Sequence, residues 1–374
     1  MINTIIFDVD GVLLSEEHYF DASALTVWEM LLSSNYLGLN PDHFKTKLTN
    51  EEVFEIRKNV FQRDEILKFL KSRGLNANWD MIFLTFSHQL IYLLSQIKDE
   101  SEEISNSISG EINREKLRKI GIVLNDYKLK IDFSLFIEDF RKSEGGKENL
   151  FKFLDQLAFE KLGVKTEIFQ SKGELWSVCE HVSQEWYVGD SNVLASTGRP
   201  SVQKGKKGFL EDEKTLAPSD KVQDLFAWLL KKGLSIGVGT GRPNLETIKP
   251  FEHLEWKQYF KTDHIITADE VLLAQRIVKD ERSLSKPHPY TFLQSFYGKG
   301  KPAKECLNMQ LPITAGKEIL VVGDSLADLL AAREMGAVFA AVLTGLSGKS
   351  ARQDFEKHEA DYILDSVLDL KKIL

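Results

Sequence analysis

The chain has 374 residues, 43% of them apolar and 28% charged, and 48 basic against 56 acidic side chains give a formal charge of −8. That balance suits a soluble globular protein, and the length suits two domains better than one. A net-acidic chain is a poor nucleic-acid binder, and no apolar run approaches the ~20 residues that span a bilayer, so neither nucleic acid nor membrane is expected as a partner. Residues 4–8, TIIFD, form a short β-branched run that predicts a buried strand. Residues 16–216 read differently. The stretches EEHYFDASALTVWEMLL, NEEVFEIRKNVFQRDEILKFLKSRG and NWDMIFLTFSHQLIYLLSQI carry large apolar residues at helical spacing with few strand signals. In the second, Val53, Phe54, Ile56, Val60, Phe61, Leu67 and Leu70 mostly share one face. Loops are predicted at KSEGGKEN (142–149) and STGRPSVQKGKKG (196–208).

From about residue 218 the pattern becomes regular. PSDKVQDLFAWLLKKG has a helical stripe at Val222, Leu225, Phe226, Leu229 and Leu230, closed by Gly233. LSIGVGT, HIIT (264–267), EILVVGD (318–324), AVFAAVLTG (337–345) and DYIL (361–364) are strand candidates, with helical patterns such as SLADLLAAREMG between them. The alternation predicts an α/β fold: a Rossmann-like parallel sheet covered on both faces, with a large, mainly helical insertion. Residues 1–15 and 217–374 would form the sheet domain and 16–216 the insertion. Two cysteines, Cys179 and Cys306, cannot staple a chain of this size. The start, MINTIIFDVDG, brings acids within ten residues and lacks the apolar core of an export signal, so a cytoplasmic protein is expected.

Asp8 and Asp10 stand at the end of the first predicted strand, before Gly11. Ligands of open α/β sheets bind at that edge. Two carboxylates so close repel unless a metal holds them or one keeps its proton, and either arrangement is chemically useful. A solvated turn is the plain alternative. Other strand ends add to the set. Thr240, Gly241, Arg242 and Pro243 follow one buried run, and a hydroxyl with free amides in a Gly-bearing turn suits phosphate oxygens. Asp324 and Asp328 follow another, and Lys286 precedes Pro287 between them. Converging carboxylates favour a divalent cation, and an all-oxygen set selects Mg²⁺.

The motifs FDVDGVLL (7–14), GTGRP (239–243), KPHP (286–289) and VVGDSLADLLAAREMG (321–336) occur in an order that resembles the phosphatase branch of the haloacid dehalogenase (HAD) superfamily. The resemblance covers residues 1–15 and about 218–374; that family places its cap domains in the region between. It implies that Asp8 attacks phosphorus, and that Asp10 protonates the leaving oxygen and then activates water. It implies phosphoryl binding by Thr240, the Gly241 amide and Lys286. The metal, Mg²⁺, would be held by Asp8, the Asp10 backbone carbonyl and Asp324, with Asp328 and Ser325 supporting from behind or Asp328 bonded to Lys286. Arg242 would face the substrate or pair with a core acid. Asp10 favours a phosphate ester over a haloacid, because dehalogenases of this fold generally lack the second Asp. Ser15 and Glu16 stand where the family often has an Asp-Ser pair.

The resulting expectation is a Mg²⁺-dependent phosphatase acting on a small phosphorylated metabolite through an aspartyl-phosphate. A sugar phosphomutase would use the same core residues, and a non-catalytic binding protein would keep the fold; oligomeric state is left unassigned. Several features take plainer readings. YVGDS (187–191) and STGRPS (196–201) echo two motifs but lack a buried strand before them, so both are read as loops. Lys204, Lys206 and Lys207 read as a solvated basic loop, with a reach toward a substrate anion as the alternative. His18, His181, His288 and His358 lack metal-ligand spacing. Trp28, Tyr92, Trp176 and Trp186 are read as core of the insertion. The stretch 293–318 is read as a surface loop containing Cys306.

Overall fold

Thr4–Phe7 forms strand β1 and sits inside a six-stranded, all-parallel sheet. The other strands are β2 (Ser235–Gly239), β3 (Ile265–Ile266), β4 (Ile319–Gly323), β5 (Val338–Val342) and β6 (Tyr362–Leu364), in the order β3-β2-β1-β4-β5-β6. A computed structural model describes residues 1–75, 77–97, 101–170, 172–278 and 283–374. Every strand lies within a run predicted for it. Because side chains alternate across a strand, β1 sends Ile5 and Phe7 to one face and Ile6 to the other. Ile5 and Phe7 share a core with Leu225, Phe226 and Leu229 of helix Ser219–Lys231. Ile6 joins Phe292 and Leu293 of helix Tyr290–Tyr297 and Leu329, Ala332 and Met335 of helix Leu326–Met335. Coverage on both faces explains why these strands read as unbroken apolar runs. β1 pairs with β2 on one side and β4 on the other, in register Phe7↔Val238 and Phe7↔Val322. Strand order reverses at β1, and the crevice beyond its carboxyl end is the expected ligand site.

The chain divides into two compact units, Met1–Glu17 with Leu210–Leu374, and His18–Phe209. Residues 210–216, which the sequence suggested belong to the insertion, fall in the sheet unit. The amide of Ser15 donates to the Lys214 carbonyl at 2.8 Å, and that of Leu216 to Leu13 at 3.1 Å. The stretch 293–318 is not a surface loop. It continues helix Tyr290–Tyr297 and contains helix Ala303–Leu307, and Cys306 is buried against Val271, Ala274, Leu284 and Tyr290. Its Gly298, Gly300 and Pro302 punctuate two short helices, and that punctuation imitates a loop.

The unit His18–Phe209 is helical, with helix Asn78–Ser95 buried along most of its length. The stretch 50–74 is two helices, Asn50–Val60 and Glu65–Ser72. Gln62, Arg63 and Asp64 separate them with positive φ values of 49°, 56° and 66°. Arg57 secures the break, with Nη2 2.8 Å from Asp64 and Nη1 3.2 Å from Asp21. Helix Lys147–Leu162 starts inside the predicted loop 142–149. Lys206 is not solvated: its ammonium is buried 2.7 Å from Glu29 and 2.5 Å from Glu185. The strap around it is also tied down, since the Val202 amide donates to Glu185 at 2.8 Å and Ser201 Oγ to Asp190 at 2.7 Å. His18 and His181 are packing residues, 3.0 Å from Asp21 and 3.2 Å from Glu185. Trp186 is buried, and the Trp176 indole donates to Asp80 at 2.8 Å. No described helix is long and apolar enough to cross a membrane.

Candidate active site

Asp8 leaves β1 with its amide still bonded to the Val322 carbonyl at 2.9 Å, so the sheet itself fixes its position. The chain then folds tightly, with the amides of Leu13 and Leu14 donating to the Val9 carbonyl at 2.8 and 2.9 Å. Gly11, at φ +73°, lets that turn press against β4's far end. A Cβ there would lie 2.2 Å from an Asp324 carboxylate oxygen, and one at Gly345 would lie 1.9 Å from the same oxygen. The Asp324 side chain therefore occupies a slot walled by main chain on two sides. Thr344 Oγ1 donates to the Gly11 carbonyl at 2.6 Å and ties the walls together. Thr344 and Gly345 belong to the LTG that follows the fourth motif, to which the sequence alone assigned no individual roles.

Lys286 lies among these acids. Its Nζ is 2.9 Å from Asp8 Oδ2, 2.7 Å from Asp328 Oδ1 and 3.4 Å from the Gly239 carbonyl. Asp328 is buried and divides its oxygens. Oδ1 meets Lys286, and Oδ2 accepts from Ser325 Oγ at 2.6 Å and from the Ser325 amide at 3.2 Å. That second set is the capping box opening helix Leu326–Met335. Ligand oxygens of Asp8, Asp324 and Asp328 lie within 4.8 Å of one another. Burial raises the Asp8 carboxyl to about 7; Lys286 pulls it down, while Asp328 and Asp10 push it up. Asp324 is pushed well above the usual carboxylate range by burial, then by Asp328 and Asp8. Burial works against the Lys286 charge, yet Asp328 and Asp8 outweigh it and hold the ammonium above its ordinary range. With all three acids ionised, three carboxylates and one ammonium leave −2. This all-oxygen donor set fits a hard divalent cation such as Mg²⁺.

Thr240 follows β2, buried, with its amide on the Ile266 carbonyl at 2.9 Å and its Oγ1 accepting from the Arg242 amide at 3.1 Å. Gly241 is exposed, and a Cβ there would meet nothing within 4 Å, so this turn borders open space. Asp10 directs its carboxylate to Arg242 rather than to the group of three. Burial raises the Asp10 carboxyl to about 6, against the pull of Arg242 and with the push of Glu16. Arg242 corrects the reading as a substrate contact. Its side chain is 1% exposed and pairs with Asp10 at 2.7 Å and Glu213 at 3.0 Å. Glu213 was missed because it lies in the charged run EDEK, which reads as surface.

Residues 284–370 match the family model described as HAD-hydrolase-like. No curated protein matches the sequence. Among solved structures, the X-ray structure of a Northeast Structural Genomics Consortium target is 38% identical, covers 100% of this chain and 98% of its own, and has a TM-score of 0.91. A hydrolase from Pseudomonas syringae is 15% identical, with 99% and 96% coverage and a TM-score of 0.39. A HAD hydrolase of family IA, variant 3, from Entamoeba histolytica is 12% identical, with 97% and 93% coverage and a TM-score of 0.38. The first of these matches extends through both units.

Proposed function

We propose that the chain, whose residues 284–370 match the HAD-hydrolase-like model, is a Mg²⁺-dependent phosphatase of that family that hydrolyses a small phosphorylated metabolite through an aspartyl-phosphate on Asp8. The observation that carries this reading is the Lys286 ammonium, 2.9 Å from Asp8 and 2.7 Å from Asp328, beside Asp324 at the carboxyl ends of β1 and β4. In the proposed reaction an Asp8 oxygen attacks phosphorus. The bond from phosphorus to the leaving oxygen breaks, and Asp10 gives that oxygen its proton. The Asp10 carboxylate then takes a proton from water as the water oxygen attacks phosphorus. The Asp8–phosphorus bond breaks, and free phosphate and the Asp8 carboxylate are restored.

Thr240 and the Gly241 amide hold phosphoryl oxygens, and Lys286 offsets the charge of nucleophile and phosphate. Phosphoryl transfer depends mainly on such positioning and neutralisation. Asp8, the Asp10 carbonyl and Asp324 would hold Mg²⁺, with Asp328 and Ser325 behind them, and the ion supplies positive charge to the phosphoryl oxygens. Substrate choice is assigned to the helical unit, which carries no motif of its own.

Phosphate release from a panel of sugar, nucleotide, carboxylic-acid and aryl phosphates, with Mg²⁺ and with EDTA, tests the proposal. Metal-dependent release from at least one ester is expected. Silence across the panel would remove the reading in favour of a binding protein. Isomerisation of a sugar phosphate without free phosphate would establish the phosphomutase instead.

A further inference from the structure

Arg242 directly follows the proposed phosphate cradle, yet it points into the protein. Its Nε donates to Asp10 Oδ1 at 2.7 Å, and its Nη1 donates to Glu213 Oε1 and to the Glu246 carbonyl, each at 3.0 Å. The Glu213 side chain is as buried as the arginine, whereas that of Asp10 keeps 27% of its surface exposed. Of these three side chains, only that of Asp10 reaches toward solvent. Glu213 lies three residues past the unit boundary at Leu210, on the segment that the Ser15 and Leu216 amides stitch to residues 13–15.

A guanidinium is a planar fork, and one gripped by a carboxylate and a carbonyl on one nitrogen has little freedom left in its other donors. The direction of Nε is therefore set by Glu213 and the Glu246 carbonyl, and Nε in turn sets the direction of the Asp10 carboxylate. Burying an arginine between two acids carries a large desolvation cost, which argues that the fork does more than fill space. The Arg242 amide also binds Thr240 Oγ1, so one residue touches both the cradle and the acid.

We infer that Arg242 is the positioning residue for Asp10 and that Glu213 anchors it, so that the segment re-entering the sheet unit helps aim the proton donor at the leaving oxygen. The inference rests on the phosphatase reading and adds to it a role for Arg242 of the GTGRP motif and a residue, Glu213, that no motif marks. A misplacement of ~1 Å in such a group costs on the order of 10²-fold in rate.

The test compares p-nitrophenyl phosphate, whose leaving group departs without a proton, with the best alkyl phosphate found in the panel, whose leaving group needs one. R242Q should lower kcat/KM, which reports the steps up to release of the leaving group and not the later attack of water, by ~10²-fold for the alkyl ester and E213Q by ~10-fold, with kcat/KM for the aryl ester changed less than ~3-fold. R242K keeps the charge but not the fork and should not restore the alkyl rate. Equal losses on both esters, or full rescue by R242K, would overturn the inference and leave the phosphatase standing. A wild-type protein silent on both esters would overturn the phosphatase and the inference with it. Melting temperatures identify any variant that fails to fold; should R242Q fail, the volume-conserving E213Q decides by the same ratio.

Discussion

In the helical unit, Asp139 accepts from His88 at 3.0 Å and lies 3.0 Å from the Lys161 ammonium. Burial alone would raise its carboxyl, but His88 and Lys161 outweigh burial and hold it down at about 2. Glu185 is likewise held at about 2, against burial, by His181, Lys206 and the Val202 amide. Glu29, which shares the Lys206 ammonium, is pushed up by burial to about 7, and burial likewise raises Asp155, to about 6, and Glu180. At the carboxyl ends of β1 and β4 the balance differs from that at Asp139 and Glu185. Asp8 and Asp324 are both raised, and one ammonium faces three acids. Both units bury carboxylates, so burial alone does not mark a site. What separates Asp139 and Glu185 from Asp8 and Asp324 is whether the counter-charge and donors beside the carboxylate outweigh its burial.

The sharpest test of that contrast is Asp8→Asn, which should cut turnover at least ~10³-fold in a steady-state assay while shifting the melting temperature little. Near-wild-type turnover would remove Asp8 from the nucleophile's role. Lys206→Met should do the reverse. It strands Glu29 and Glu185 in the interior and should cost about 3–5 kcal/mol in urea denaturation. A neutral result would mean that the two glutamates are not held by that ammonium.

Mg²⁺ should stabilise the wild-type protein by about 2.7 kcal/mol at a hundredfold excess over its Kd, and Asp324→Asn should lose most of that gain. An undiminished gain in the variant would place the ion elsewhere. The smallest effect concerns acid. Asp139 has a folded value of about 2, below the ordinary 3.8, so its stabilisation is complete above pH ~4 and is lost as pH falls toward 2. The loss should reach about 2 kcal/mol and be absent from Asp139→Asn, as read from stability curves across that range. Equal pH dependence in both proteins would assign the effect to other acids.

The sheet was legible because parallel central strands are covered on both faces, and runs such as ILVVGD declare themselves without their neighbours. The candidate site was legible for a related reason: Asp8, Thr240 and Asp324 each follow such a run directly, so the sheet edge gathers them. What escaped depended on partners remote in the chain. Lys206 lies in a Gly- and Lys-rich stretch that reads as solvated, and nothing local reveals Glu29 and Glu185 waiting for it. The aim of Arg242 was hidden in the same way by Glu213. The break at 62–64 was masked because apolar residues on either side keep helical spacing although the backbone between them turns left-handed.

Asp328 has a double duty with a mechanical consequence. The oxygen that starts helix Leu326–Met335 and the oxygen that aims Lys286 belong to one carboxylate. Fraying of that first helical turn would swing the carboxylate and leave the lysine held by Asp8 and the Gly239 carbonyl alone. The order of one helical turn is thus coupled, through a single side chain, to the placement of the ammonium beside Asp8.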